Sequence, residues 1–517
     1  WRIRPNFTMS YGLRYEYYGV LSEARNKDVF FDMLRGDIIP RYSGDWYNSS
    51  KKNFGPRLAF TWSPLASKNT TVLRAGAGYY YGPGQTEDQL QPEANDRIGT
   101  TLSAATTPGL AYPLNIPAIY ANYNINSPRL GYQPRAYAPG YRIPERVLSY
   151  SFSVQQKLPD STVVSLGYVG SQGRNLFLRS ITNLITGFTM NPATGVASAV
   201  RQYGNRFAEI DYKTSGGTDS YNAMQLTVNH RYAHGLTFGA QYTWAHSIGT
   251  SAGSNEANTA GNPFNFATER GNNNFDIRHS LNVDALYELP FGRGRRFASN
   301  LSKPLDAFLG GWQLGGVINA RSGVPIDVLI TRPDIAYVDN RNGAVYQNPL
   351  VVNGQVLTTP VINTPGGGST RNVRRPDVVP GVQPILTQNG LAYVNPGAFT
   401  VPQPGTFGNS ARNSLAGPAI AQLDLTLSKK FRITEIVNVE LRAEAYNIAN
   451  HTNFANPGNV RLSPGIPTGP TATGIQPGQP FTSSVAGGNF GVLNSTVSNQ
   501  IGLGTARQLQ LALRINF

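Results

Sequence analysis

The 517-residue chain contains no cysteine, which excludes disulfides and thiolate metal sites. It also lacks any run of about 18 apolar residues, so no helix in it can cross a membrane. Strands cross with only about 9–11 residues, apolar at every second place, so that absence leaves a β route open. Charge is sparse, at 14% of residues, and acidic charge sparser still: 29 Asp and Glu stand against 44 Lys and Arg, for a net charge of +15. A basic balance suits nucleic acid, anionic lipid or lipopolysaccharide, or acidic ligands. The charges are dispersed along the chain, which argues against nucleic acid. Hydrophobic residues make up 40%, below the usual globular share. No signal peptide opens the chain, because Trp1-Arg2-Ile3-Arg4 already reads as strand. The expectation is a chain whose natural start lies upstream.

What the sequence does have is tyrosine (27), glycine (55) and proline (36), the composition of strands separated by many turns. Large apolar residues alternate with polar ones in segment after segment. Phe7, Met9, Tyr11, Leu13, Tyr15 and Tyr17 open the series. Leu58, Phe60 and Trp62 follow, then Leu73, Ala75, Ala77 and Tyr79. The rhythm continues through Tyr150–Val154, Val164–Tyr168, Met224–Val228, Leu236–Trp244, Val283–Tyr287, Trp312–Ile318, Leu423–Leu427 and Val437–Ala445. It ends at Leu509, Leu511, Leu513, Ile515 and Phe517. Period-two alternation places one set on each face of a strand.

The connections alternate as strictly as the residues. Short links at 63–69, 159–160, 233–235, 290–310 and 432–436 are interleaved with long loops at 19–53, 82–146, 171–220, 247–278, 322–418 and 448–502. About a dozen strands joined this way match an outer-membrane barrel, with short periplasmic turns and long external loops. The charged residues Arg14, Glu16, Asp424, Glu440, Arg442, Glu444 and Arg514 take the parity opposite the apolar set, facing a watery lumen. Aromatics gather near strand ends. Tyr15, Tyr17, Tyr79, Tyr242 and Trp244 are expected at the outer rim, and Tyr287, Trp312, Phe431 and Phe517 at the inner one, as girdles at headgroup depth. The expected fold is therefore all-β, a transmembrane antiparallel β-barrel of outer-membrane type.

Motifs for chemistry are weak. His230 and His234 are four apart but separated by a turn, so helical metal geometry is not available to them. Gly76-Ala-Gly78 lies within a strand and lacks the rest of a phosphate loop. Asp339-Asn-Arg-Asn-Gly343 resembles part of a calcium loop without the closing acid and reads as a turn. Arg293, Arg295 and Arg296 form the densest basic cluster, able to touch phosphate and lipid headgroups but more commonly a solvated turn. No catalytic, cofactor-binding or metal-ligating residue is assigned.

Several segments in order carry a family resemblance: Asn53–Trp62 (NFGPRLAFTW), Val169–Arg174 (VGSQGR), Ser220–Leu226 (SYNAMQL), Tyr242–Ser247 (YTWAHS), Tyr287–Gly292 (YELPFG) and Asn447–Phe454 (NIANHTNF). Nearly the whole chain resembles the barrel of Oar-like TonB-dependent outer-membrane receptors. That resemblance implies a 22-stranded barrel filled by an N-terminal plug. Residues 1–517 would then be an incomplete part of the barrel, with plug and signal peptide upstream. It further implies capture of an external ligand and passage through the lumen, with TonB engaged through the plug. The terminal Leu513, Ile515 and Phe517 resemble the assembly signal read by the barrel insertion machinery. The expected partners are outer-membrane lipid and lipopolysaccharide, the insertion machinery, TonB and an unknown external ligand, with no nucleic acid and no cofactor. The alternatives are a surface adhesion or structural protein on the same barrel, and a secreted β-protein that binds acidic polymers.

Overall fold

Alternation of this kind yields a sheet, and the computed structural model contains one dominant sheet. It describes all residues except 41–42, 65–69, 85–89, 94–111, 118–133, 208, 251–258, 367–371, 387–389, 434–436, 464 and 499–502. Twelve long strands follow one another across it: β1 (Phe7–Tyr15), β2 (Phe54–Trp62), β3 (Thr71–Gly82), β4 (Glu145–Lys157), β5 (Thr162–Thr182), β6 (Ile210–Ala233), β7 (Leu236–Gly249), β8 (His279–Glu288), β9 (Trp312–Arg321), β10 (Ile420–Arg432), β11 (Asn438–Tyr446) and β12 (Gln508–Asn516). Each pairs antiparallel with the next, and a short segment, Arg2–Arg4, pairs along the free side of β1. Among the described residues β12 pairs only with β11, so the sheet is not closed into a barrel. Much of loop 82–146, and parts of the links 63–69 and 432–436, lie outside the described residues.

Register settles which residues share a face. Phe7, Trp62, Leu73, Val154, Leu166, Leu226, Tyr242, Leu281, Ala320 and Ala421 form one unbroken row across ten strands. The next row, on the opposite face, reads Thr8, Thr61, Arg74, Ser153, Gly167, Gln225, Thr243, Ser280 and Arg321 before it ends on Ile420. A slip of one residue in any strand would break both rows, so the pattern itself fixes the register. Among the described residues no second sheet covers the apolar face. Leu13 is 67% exposed, Leu509 76% and Leu511 85%, whereas a sandwich would bury such residues between its sheets. The separation has exceptions. Leu286 and Val317 lie on the polar face, and Lys429 lies on the apolar one, opposite Trp312 and Leu441.

Short and long connections alternate as the sequence indicates, but two expectations about the long ones need correction. Residues 171–220 are not a loop throughout. β5 and β6 continue well beyond their neighbours, with Leu176–Thr182 paired against Ile210–Gly217 after a register break at Arg174–Leu178. Alternation fades there because this part of the hairpin packs against other loops; Ile181 and Ile210 are fully buried. Loops 322–418 and 448–502 are likewise not featureless. Ile326, Val328, Ile330, Val394, Phe399, Leu462, Phe481 and Val485 form a buried apolar core drawn from both.

The short hairpins follow turn chemistry. His234 and Gly235 both have positive φ, 52° and 82°, as a two-residue turn matched to strand twist requires. Asp160 and Ser161 do the same between β4 and β5, with φ of 54° and 58°. The turn expected at Pro159-Asp160 is therefore centred one residue further on.

Candidate functional site

The long loops converge on one another, and their packing begins with aromatic residues. Tyr47, Tyr137 and Tyr141 sit with ring centroids 5.2–5.6 Å apart, and Phe177 of β5 closes against Tyr141 at 6.4 Å. Beside them Phe31 meets Phe207 edge-on at 5.1 Å. Such contacts hold loop 19–53 and residues 135–143 against the extended β5–β6 hairpin. Offset and edge-on rings add attraction beyond the burial of area.

Buried ion pairs tie the remaining loops together. Arg179 of β5 holds Asp211 of β6 with two short bonds, 3.0 and 2.6 Å, and the Lys213 amine reaches the same carboxylate at 3.0 Å. Arg375 bridges Glu269 at 2.9 Å and Asp327 at 3.1 Å, joining loop 247–278 to loop 322–418. Arg374 pairs with Asp334. Arg412 donates to the Gly249 and Gly271 carbonyls at 2.7 and 3.1 Å, and to Asn273 Oδ1 at 3.1 Å. Burial and the two facing carboxylates act oppositely on Arg375, and the carboxylates prevail, raising its pKa. A buried guanidinium is tolerable when paired and hydrogen-bonded in this way.

Arg332 is different. All its hydrogen bonds go to uncharged oxygens: Thr406 O at 2.7 Å, Asn363 Oδ1 at 3.1 Å, Pro402 O at 3.1 Å and Gln403 O at 2.6 Å. Burial, with the like charge of Arg374 nearby, lowers its pKa to about 10. It remains a cation at neutral pH. Arg332, Arg374, Arg375, Glu269, Thr268 and Ser410 line a cavity of about 140 Å³ between the two loops. Its donors suit an anionic or carbonyl-bearing group rather than a metal. Sequence reading missed this cluster. The available signal was the alternation of Ile326, Val328 and Ile330 leading into Arg332, together with the Arg374-Arg375 pair.

The residues singled out from the sequence fall as follows. Tyr15, Tyr79, Tyr242, Trp244, Tyr287, Trp312 and Phe431 all occupy rows of the apolar face. Tyr15 meets Phe54 with ring centroids 5.0 Å apart and planes tilted by 45° at the loop end of β1, and Tyr17 lies half-exposed beyond the strand. Trp244 pairs with His279, the first residue of β8, and Tyr242 sits one row further from the loops. Tyr287, Trp312 and Phe431 lie at the short-link end. Leu513, Ile515 and Phe517 are 63%, 55% and 94% exposed along the free edge. Asp339–Gly343 is a turn, with Asp339 gripped by Arg341 at 2.7 Å. His230 stacks on Phe238 at 5.6 Å and shares a hydrogen bond with Thr162, and it belongs to no metal-binding group among the described residues.

A single sheet with one apolar and one polar face, carrying folded loops at one end, defines the wall of an outer-membrane β-barrel protein. The chain belongs to the outer membrane beta barrel domain family, whose model matches residues 1–510. That assignment places it in the outer membrane. The comparison with curated proteins found no match. Similar solved structures include the outer membrane transporter YddB of Escherichia coli, at 9% identity over 90% of this chain and 40% of that one, with a TM-score of 0.38. A mutant of the ferric enterobactin receptor PfeA of Pseudomonas aeruginosa is 10% identical over 100% and 43%, with a TM-score of 0.39. The siderophore receptor PiuA of Acinetobacter baumannii is 8% identical over 100% and 41%, with a TM-score of 0.38. The chain thus spans less than half the length of each.

Proposed function

We propose that residues 1–517 are the wall and external loops of a TonB-dependent receptor that captures a ligand outside the cell and passes it through the lumen. The observation that carries this reading is the long-loop assembly. Its loops share a buried core and a cavity whose arginines present hydrogen-bond donors, above a sheet whose polar face suits a water-filled passage. The free edges at Arg2–Arg4 and β12 leave room for further strands of a larger barrel. Energy coupling would run through a plug and TonB. The role is transport, with no catalytic residue assigned. Phe517, Ile515 and Leu513 serve assembly by the insertion machinery, and the aromatic rows serve as girdles.

Whole-cell accumulation of ferric enterobactin, the cargo in one relative's name, and of other labelled iron chelates tests the reading in cells with and without TonB. Accumulation that requires TonB is expected. Surface binding that persists without TonB, with no uptake of any probe, would instead support adhesion.

A further inference from the structure

The link between β8 and β9 is the longest of the short connections and lies at the rim opposite the long loops. It contains a small helix, α1 (Lys303–Leu309). Leu305, Phe308 and Leu309 fall at helical spacings on one face of α1 and are 54%, 73% and 43% exposed. Phe291 and Phe297 add two more exposed rings, 5.6 Å apart. Five exposed apolar side chains on a water-facing link would be a liability.

The attachment of α1 shows which side it lies on. Lys429 of β10 projects from the apolar face, in the row of Trp312 and Leu441. Its amine donates to the Phe308 carbonyl at 3.1 Å and to the Gly310 carbonyl, at the C-terminal end of α1. The same amine lies 5.0 Å from the Trp312 ring and 5.1 Å from that of Phe431. Trp312 Nε1 also donates to Phe308 O, at 3.1 Å. The end of α1 is therefore fastened to the apolar side of the wall, at Trp312 and Lys429. The link also holds four basic residues, Arg293, Arg295, Arg296 and Lys303, against one acid, Asp306. Arg295 pairs with Glu288, and Arg296 lies over the Phe297 ring at 5.5 Å.

We propose that residues 290–311 form an interfacial anchor. Leu305, Phe308 and Leu309 enter the edge of the acyl region, while Arg293 and Arg296 bind the phosphates of anionic phospholipids at the short-link rim. Apolar residues on one side and Lys and Arg on the other are the composition of segments that lie in the membrane interface, and anionic headgroups attract such a basic rim. The proposal depends on the wall facing lipid and not on TonB, so failed uptake would leave it intact.

The test uses the full chain refolded into phosphatidylcholine vesicles with and without phosphatidylglycerol. Because the chain has no cysteine, Phe308→Cys can carry a single environment-sensitive fluorophore, with Leu34→Cys in an external loop as the control. Lipids bearing a quencher near the headgroup are expected to quench the 308 label several-fold more than the 34 label. Equal quenching of both by these lipids, with equal access to aqueous iodide, would overturn the anchor. Energy transfer from the 308 label to headgroup-labelled phosphatidylglycerol is expected to exceed transfer to labelled phosphatidylcholine. The Arg293→Gln/Arg296→Gln variant should remove that excess; an unchanged excess would overturn the headgroup assignment. Both arginines are exposed, so the variant is expected to fold.

Discussion

Arg332 concentrates the chemistry of the loop assembly in one side chain. Replacing it with alanine leaves two buried acceptors, Asn363 Oδ1 and Pro402 O, short of a donor, and each unsatisfied group costs about 1–3 kcal/mol. The expected outcome of Arg332→Ala is faster proteolysis within 322–418 while the wall keeps its heat-modifiable mobility; unchanged cleavage would contradict the structural role. Asp339 supplies a pH prediction. Hydrogen bonds from Arg341 hold its pKa at about 2, below the ordinary value near 4. A depressed carboxylate stabilises the fold above the unfolded pKa, so the contribution is complete above about pH 4 and fades as pH falls toward 2. In Arg341→Ala the Asp339 carboxyl should titrate above 2, short of the ordinary value because the backbone N–H at 341 still donates to it, as followed by carbon NMR in micelles; a midpoint still at 2 would contradict the assignment. Residue-level legibility was uneven. The charges on the polar face could be read from parity alone. Lys429 could not: it breaks the alternation of Leu423, Leu425, Leu427 and Phe431, and its hydrogen-bond partners lie more than a hundred residues away in sequence.

Elements were legible where one face meets lipid and the other water, because that contrast writes period two into the sequence. All twelve long strands and the order of short and long connections follow from it. Where both faces meet protein the signal disappears, which is why the outer half of the β5–β6 hairpin and the core shared by 322–418 and 448–502 read as loop. Face assignment makes an energetic prediction at mid-strand in β8. Val283→Lys should destabilise the refolded protein by about 2–4 kcal/mol, whereas Asn282→Lys on the other face should cost far less. Urea titrations in lipid vesicles would check this, and equal costs would contradict the faces. β12 makes another. Its apolar residues lie along an unpaired edge and end in an exposed Phe517. Deleting Phe517 should lower surface levels and heat-modifiable mobility in cells; normal values for both would argue against an assembly role.

At the scale of the whole molecule, the sheet among the described residues is a wall with two free edges, and the buried apolar cores belong to the long loops and the outer β5–β6 hairpin instead of lying between layers. That arrangement makes sense only if the membrane supplies the missing apolar layer. The family membership could be anticipated from the sequence, since the alternation and the ordered segments span nearly all of it. The arginine-lined cavity could not, because its walls come from loops that contact one another only after folding. The most direct test of the wall is single-cysteine labelling in outer-membrane vesicles with a charged, membrane-impermeant maleimide. Cysteine at Gln241, Thr243 or Asn282 should react, and cysteine at Ala240, Tyr242 or Val283 should stay unreactive until the membrane is dissolved. Reversal of the two sets, or a failure of both to react before denaturation, would contradict a lipid-facing apolar wall.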